Sequence, residues 1–159
     1  MDRKSAIVSA LNGLVNPILM CSFLPIIEGK PALDMSSPTG FWGQLGLAVL
    51  IAEIVSFLPA FGRMVGMCVE FFGFRREGPG ARICGTVVGA TFLFALIGLF
   101  EIAFQTGFGV VNGYTYFSRW ASLVTGGWLF VVVGGLLFDP FAHSIAAALT
   151  KPKSDKAMG

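Results

Sequence analysis

Charged residues are scarce in this sequence of 159 residues. Asp, Glu, Lys and Arg together make up 13% of it, whereas hydrophobic residues make up 55%. A soluble domain of this length carries a larger share of charged residues than that. The net charge of +2 also lacks the strong basic excess typical of nucleic-acid binding. The composition therefore predicts a protein that faces lipid and has no nucleic-acid partner.

Side chains that carry catalytic or metal chemistry are equally few. The sequence has one histidine and three cysteines, and none of Cys21, Cys68 and Cys84 has a partner at Cys-x-x-Cys spacing. A single histidine supports neither a nucleophile-and-base arrangement nor a metal site with several ligands. We therefore predict no catalytic residue and no metal site, and we expect the cysteines to be buried free thiols.

Long apolar blocks dominate what remains, and each is about the 20 residues that a helix needs to cross the hydrocarbon core. They indicate an all-α membrane protein in which four transmembrane helices form a bundle. The predicted helices run over about 5–27, 41–72, 81–105 and 119–150.

Three prolines are predicted to kink these helices, because proline removes a backbone hydrogen bond: Pro17, Pro59 and Pro140. A helix over 41–72 is about 48 Å long and exceeds a hydrocarbon core of about 30 Å. Its inner end must project or bend, and Pro59 offers the place for a bend.

Lys and Arg mark the cytoplasmic side of a membrane protein. Most of them fall at the N-terminus, in the 73–82 loop and at the C-terminus, which four crossings place together. We therefore predict both termini in the cytoplasm, and the 28–40 and 105–118 loops outside.

The two halves of the sequence look alike. Residues 1–76 and 77–159 each contain an outgoing helix, a loop and a long returning helix that starts at a tryptophan and has a proline near its inner end. This pattern predicts two parallel two-helix repeats, related by a pseudo-two-fold axis along the membrane normal.

Several residues recur in the same order in the two halves. In the first half they are Trp42, Leu58-Pro59 and Arg63, and in the second half they are Trp120, Phe138-Asp139-Pro140 and Phe141. Over nearly its whole length the chain resembles the duplicated form of the bacterial small membrane proteins called domain of unknown function 2798. That family has Arg four residues after Pro. Arg63 follows the pattern, whereas His143-Ser144 departs from it. The resemblance implies the two-repeat architecture and a bacterial inner membrane, but no activity.

Glu53 is the clearest ionisable residue inside a predicted helix, about 18 Å below the outer surface. Asn16 and Pro17 reach the same depth, and Pro17 leaves the Gly13 carbonyl without its usual donor. We predict that Glu53, Asn16 and the nearby Ser56 bind a proton, a cation or the polar head of an apolar ligand. In the alternative reading, Glu53 only fastens the first two helices.

Other ionisable residues lie near helix ends. Arg63, Asp139 and His143 are at the inner ends, where an Arg63–Asp139 pair would tie the two halves together. In the alternative, they extend to the interface. Glu28 and Glu101 lie near outer ends and are predicted to reach headgroup water.

Glycines at helical spacing predict close helix packing. Gly85 and Gly89 form a Gly-x-x-x-Gly pair, and the pairs Gly126-Gly127 and Gly134-Gly135 are predicted to form one narrow face. Membrane lipids and a homo-oligomer or larger membrane complex are the expected partners. The candidate functions are a small transporter or channel with its site at Glu53, or an accessory membrane subunit. The alternative is a lipid- or quinone-binding protein without transport activity, which the sixteen Phe residues permit.

Overall fold

A computed structural model of the protein describes residues 3–27, 40–75 and 78–150. Within them the chain is all-α and forms five helices: α1 (Arg3–Ile27), α2 (Phe41–Phe57), α3 (Pro59–Phe71), α4 (Pro79–Thr106) and α5 (Tyr116–Thr150).

The segment predicted as one helix over 41–72 is two helices, and the break falls at Leu58. Leu58 has extended backbone angles, φ −71° and ψ 124°, because proline disfavours the helical conformation of the residue before it. Pro59 begins α3, a position where its missing N–H costs nothing. The two helices are bent by 72° at this point. Pro17 and Pro140 lie within α1 and α5, which continue through them.

The helices pack in a ring with the order α1, α2–α3, α4, α5. α1 contacts α2 and α5, while α4 contacts α5, α3 and α2. Across the ring, α1 and α4 touch only slightly, and neither α2 nor α3 contacts α5 in the described part of the chain. The residues that fill the centre are small or apolar, and they include Ala48, Ala52, Phe94, Ile97 and Val131.

α4 and α5 are each long and apolar enough to cross a membrane, and the bent pair α2–α3 meets the same test as a single broken span. The apolar part of α1, Ala6–Ser22, is shorter. By length and composition the described residues thus provide two spans, or three with the bent pair. Large apolar side chains such as Leu50, Leu129 and Leu137 are exposed on the outside of the bundle, as lipid contact requires.

The glycines of α5 pack against two different helices. A methyl group on Gly127 would lie 2.6 Å from Cζ of Phe94 on α4, and one on Gly134 would lie 2.5 Å from Cδ1 of Leu19 on α1. Gly127 and Gly134, seven residues apart, share one face of α5, but that face meets two different helices. A single helix inserted between two neighbours must present a small residue to each of them.

The connection between α4 and α5 is a tight turn held by Arg119. Val111 and Tyr114 are paired across the turn, and Asn112 and Gly113 both have positive φ. The Arg119 guanidinium donates hydrogen bonds to the Thr106 hydroxyl and to the carbonyls of Gly107 and Gly109. Aromatic residues around the turn are exposed, as in an interfacial belt, and they are Phe108, Tyr114 and Phe117.

Candidate binding cavity

A cavity of about 590 Å³ lies inside the ring, beside the break between α2 and α3. Every helix contributes to its wall. The polar side chains that line it come from four helices: Ser9, Asn12 and Asn16 of α1, Ser56 of α2, Arg82 and Thr86 of α4, and Asp139 and His143 of α5. Four of the residues singled out in the sequence, Asn16, Ser56, Asp139 and His143, are thus brought to one place.

One side of the cavity carries an acid–base pair. His143 Nε2 lies 3.7 Å from Asp139 Oδ1, one helical turn away on α5. Their side chains are only 32% and 16% exposed, so this pair is largely withdrawn from the surface. Asp139 accepts hydrogen bonds and His143 both donates and accepts them. This wall of the cavity can therefore hold a polar group of either hydrogen-bonding type.

Side chains of α1 and α4 both approach α5 at Gly135. A methyl group at Gly135 would lie 3.5 Å from both Asn16 Oδ1 and Thr86 Cγ2. The amide of Asn16 therefore reaches across towards α5. Because this position has no side chain, the polar groups of three helices can meet in the cavity.

The helix break supplies an apolar part of the cavity wall. Phe57, Leu58, Pro59 and Phe61 all line the cavity. Pro59 has no N–H, and the Leu58 N–H instead bonds to the Val55 carbonyl. Irregular backbone inside a membrane is tolerated where it is buried in protein or lines a cavity, and the position of this break agrees with that rule.

Glu53 lies outside this cavity, in the interface between α1 and α2. Its carboxyl group packs on Gly13, where a methyl group would lie 2.6 Å from Glu53 Oε1. The three residues predicted to form one site are therefore divided, because Asn16 and Ser56 line the cavity whereas Glu53 contacts the backbone of α1. Gly13 is the residue whose carbonyl Pro17 leaves without its helical donor.

The contact between Glu53 and Gly13 predicts energetic coupling between them. We expect Gly13→Ala to destabilise the protein by about 1 kcal/mol, because the new methyl group displaces the carboxyl. The cost should largely vanish in a Glu53→Ala background, where the space is empty. Titration with SDS from mild detergent measures the four free energies of unfolding of this double-mutant cycle. Equal costs of Gly13→Ala in both backgrounds would show that the two residues do not touch.

Arg63 and Asp139 do not form an ion pair in the described part of the chain. Arg63 is exposed on α3 and lines a second cavity of about 700 Å³ between α3 and α4. The partner of Asp139 is His143. The bend at Leu58 directs α3 away from the α2 axis, and neither α2 nor α3 contacts α5.

Glu101 is the polar residue whose surroundings sequence reasoning missed. It was expected to reach headgroup water, and that expectation is wrong, because Glu101 is 0% exposed. The Cys21 thiol of α1 donates a hydrogen bond to Glu101 Oε1 at 3.5 Å. The helix face of Glu101 could have indicated its burial. Phe94 and Ile97 lie seven and four residues earlier on the same face of α4, and both are buried. Glu28 lies outside the described residues.

The described residues define an all-helical protein with apolar helices and an open cavity that polar side chains of four helices help to line. They contain no group of three or more His, Cys, Asp or Glu side chains placed to hold a metal ion. No protein-family model, curated protein or solved structure shows a significant match to this chain. Its function must therefore be argued from the cavity itself.

Proposed function

We propose that the chain is an integral membrane protein with four spans, formed by α1, α2, α4 and α5, with α3 bent away from α2 at the inner end of its span. The ring order supports the two-repeat arrangement, because exchanging α1 with α4 and α2–α3 with α5 leaves the pattern of neighbours unchanged. The distribution of Lys and Arg supports cytoplasmic termini. In keeping with the family resemblance, we place the protein in a bacterial inner membrane.

We further propose that the cavity binds a small polar solute and that the protein is a small transporter. The observation that carries this proposal is the position of the helix break, which opens directly onto polar side chains from four helices. Discontinuous membrane helices form the substrate sites of secondary transporters together with polar groups of neighbouring helices, and this break meets such groups at the inner end of its span.

The chemistry of the wall indicates the kind of solute. Arg82 provides a cation and Asp139 an anion, while Asn16 and Ser56 provide hydrogen bonds. Because this wall offers both donors and acceptors, an occupant that carries both fits it better than an apolar molecule. The substrate class we propose is therefore a small zwitterionic or multiply hydrogen-bonding solute.

A second function, the binding of a lipid or quinone without transport, is favoured by the aromatic wall. Phe57 and Phe61 stand beside the polar groups, so a molecule with a polar head and an apolar body can also be accommodated. A third role, as the accessory subunit of a larger complex, agrees with the long apolar surfaces of α2 and α5.

Native mass spectrometry of the protein, extracted in mild detergent from its own membrane, tests these functions. The expected result is a retained small polar molecule that is about fivefold less abundant in Asn16→Leu and in Thr86→Val. Both variants keep the volume of the side chain and remove one hydrogen bond worth about 1 kcal/mol. Thr125→Val is the matched control, because Thr125 is exposed on α5 and bonds only to the Ala121 carbonyl of its own helix.

The other outcomes contradict the proposal. A retained quinone or lipid that the two cavity variants release would assign the cavity to the second function. A stoichiometric partner protein together with an empty cavity would make the chain an accessory subunit. Equal retention of the polar molecule by Thr86→Val and Thr125→Val would show that it binds elsewhere.

A further inference from the structure

The short helix α3 differs from the other helices in its direction and in its exposed surface. It starts at the 72° bend and packs on α4 through one side only, where Val65 and Phe61 contact Gly85 and Gly89. Much of the remaining surface is exposed, including Ala60, Arg63, Met67, Glu70 and Phe71, while Met64, Gly66 and Cys68 are half-buried. Because α3 is turned by 72° from the direction of α2, it runs across the end of that helix and does not extend it.

The exposed surface of α3 is divided into two stripes. At about 100° per residue, Ala60, Met67 and Phe71 fall on one stripe and Arg63 and Glu70 on the adjacent one. Met67 is 62% exposed and Phe71 is 85% exposed. An apolar stripe beside a charged stripe is the pattern of a helix that lies in the plane of the membrane interface.

Positive charge surrounds the same helix. Among the described residues between 58 and 82, the arginines Arg63, Arg75 and Arg82 are accompanied by one acidic residue, Glu70. All three arginines are exposed. Next to them, Phe72 and Phe74 continue the exposed apolar surface beyond the end of α3. Such a surface is complementary to the anionic headgroups and upper acyl chains of a bilayer leaflet.

We propose that α3 is an interfacial helix that lies on the leaflet facing the α3–α4 connection and recruits anionic phospholipids through Arg63 and Arg75. Met67 and Phe71 enter the acyl region, whereas Arg63 and Glu70 remain at headgroup level. The helix thereby fixes the inner end of the broken span at a set depth. This inference requires only that the chain is embedded in a membrane, and it is independent of what the cavity binds.

Spin-label accessibility tests the position of α3. Labels are placed singly at Ala60 or Phe71 and at Arg63 or Glu70, in a Cys68→Ser, Cys84→Ser background reconstituted into phospholipid vesicles. We expect oxygen to relax the labels at Ala60 and Phe71 more strongly, and a water-soluble nickel chelate to relax those at Arg63 and Glu70. Preferential nickel contact at Ala60 and Phe71 would overturn the proposal. So would spin–spin broadening with loss of both contacts, because a second copy would then cover this face.

The lipid preference is tested separately in nanodiscs of phosphatidylcholine with and without phosphatidylglycerol. Native mass spectrometry should show phosphatidylglycerol retained in preference, with Arg63→Gln and Arg75→Gln each lowering its retention about fivefold, the loss expected for one basic residue near an anionic surface. Arg3→Gln, at the start of α1 and on the same side of the membrane, is the comparison variant, and an equal loss of retention there would show that the lipid is not held by α3 in particular. Arg82 is left intact because it also lines the cavity. Equal retention of the two lipids by the unaltered protein would refute the recruitment of anionic lipid.

Discussion

Replacing Gly127 by alanine is expected to destabilise the protein by about 2 kcal/mol. The new methyl group would lie 2.6 Å from Cζ and 3.3 Å from Cε1 of Phe94. Gly127 is buried and Phe94 is only 3% exposed, so the ring has nowhere to move without separating α4 from α5. Overpacking of a close-packed core typically costs about 1–3 kcal/mol. The free energy of unfolding, measured by SDS titration from mild detergent, gives the cost directly.

Two matched glycine variants show whether close packing is the cause. Gly46 has no atom within 4 Å of its added methyl group, so Gly46→Ala should leave stability unchanged or raise it slightly, as alanine favours the helix. Gly134→Ala meets Leu19, which is half-buried and can rotate away, so its cost should be intermediate. If all three variants behaved alike, helix propensity and not the Phe94 contact would govern stability.

Thiol labelling should separate Cys21 from the other two cysteines by orders of magnitude in rate. Cys21 is 0% exposed and its thiol donates a hydrogen bond to Glu101 inside the bundle. Cys68 and Cys84 are partly exposed, near the α3–α4 connection. Because the thiolate is the reactive form and needs water and access, Cys21 should react with a maleimide only after the bundle opens. Mass spectrometry of the intact protein counts the labels with time.

The Cys68→Ser, Cys84→Ser variant is the appropriate background for this measurement, because it leaves Cys21 as the single thiol. The labelling rate in mild detergent then reports the opening of the α1–α4 contact, and SDS should restore rapid labelling. Rapid labelling of Cys21 in mild detergent would contradict the burial of the Cys21–Glu101 pair. Ala103→Cys, two residues after Glu101 on α4 and half-buried, provides a reactive reference.

Local chemistry made several features readable from the sequence. The apolar blocks could only be long helices, because a chain in lipid must satisfy its backbone groups internally. Pro59 predicted the bend, because proline lacks a backbone N–H and disfavours the helical conformation of the preceding residue, Leu58. Asn16, Ser56, Asp139 and His143 stood out as polar residues in apolar surroundings, and the structure places all four around one cavity.

Other features depended on how each helix is rotated about its axis. The position of a residue along its helix gives its depth in the membrane but not this rotation. The sequence predicts Glu53 and Asn16 at one depth, yet Glu53 lies against Gly13 in the α1–α2 interface while Asn16 approaches Gly135 of α5. The prediction that Glu101 reaches headgroup water rests on its depth alone. The face it shares with Phe94 and Ile97 packs into the core, and this burial decides its surroundings.

By itself, then, the sequence determined the helical class, the apolar character of the helices, the break at Pro59 and the identity of the polar residues. The tertiary structure decided the ring order of the helices, the division of Glu53 from the cavity, and the burial of Glu101. The reason is physical. Hydropathy, helix length and proline chemistry act within one segment, whereas a side chain's neighbours depend on which face of its helix meets another helix. That choice is made by packing between segments far apart in the sequence, such as Gly127 against Phe94.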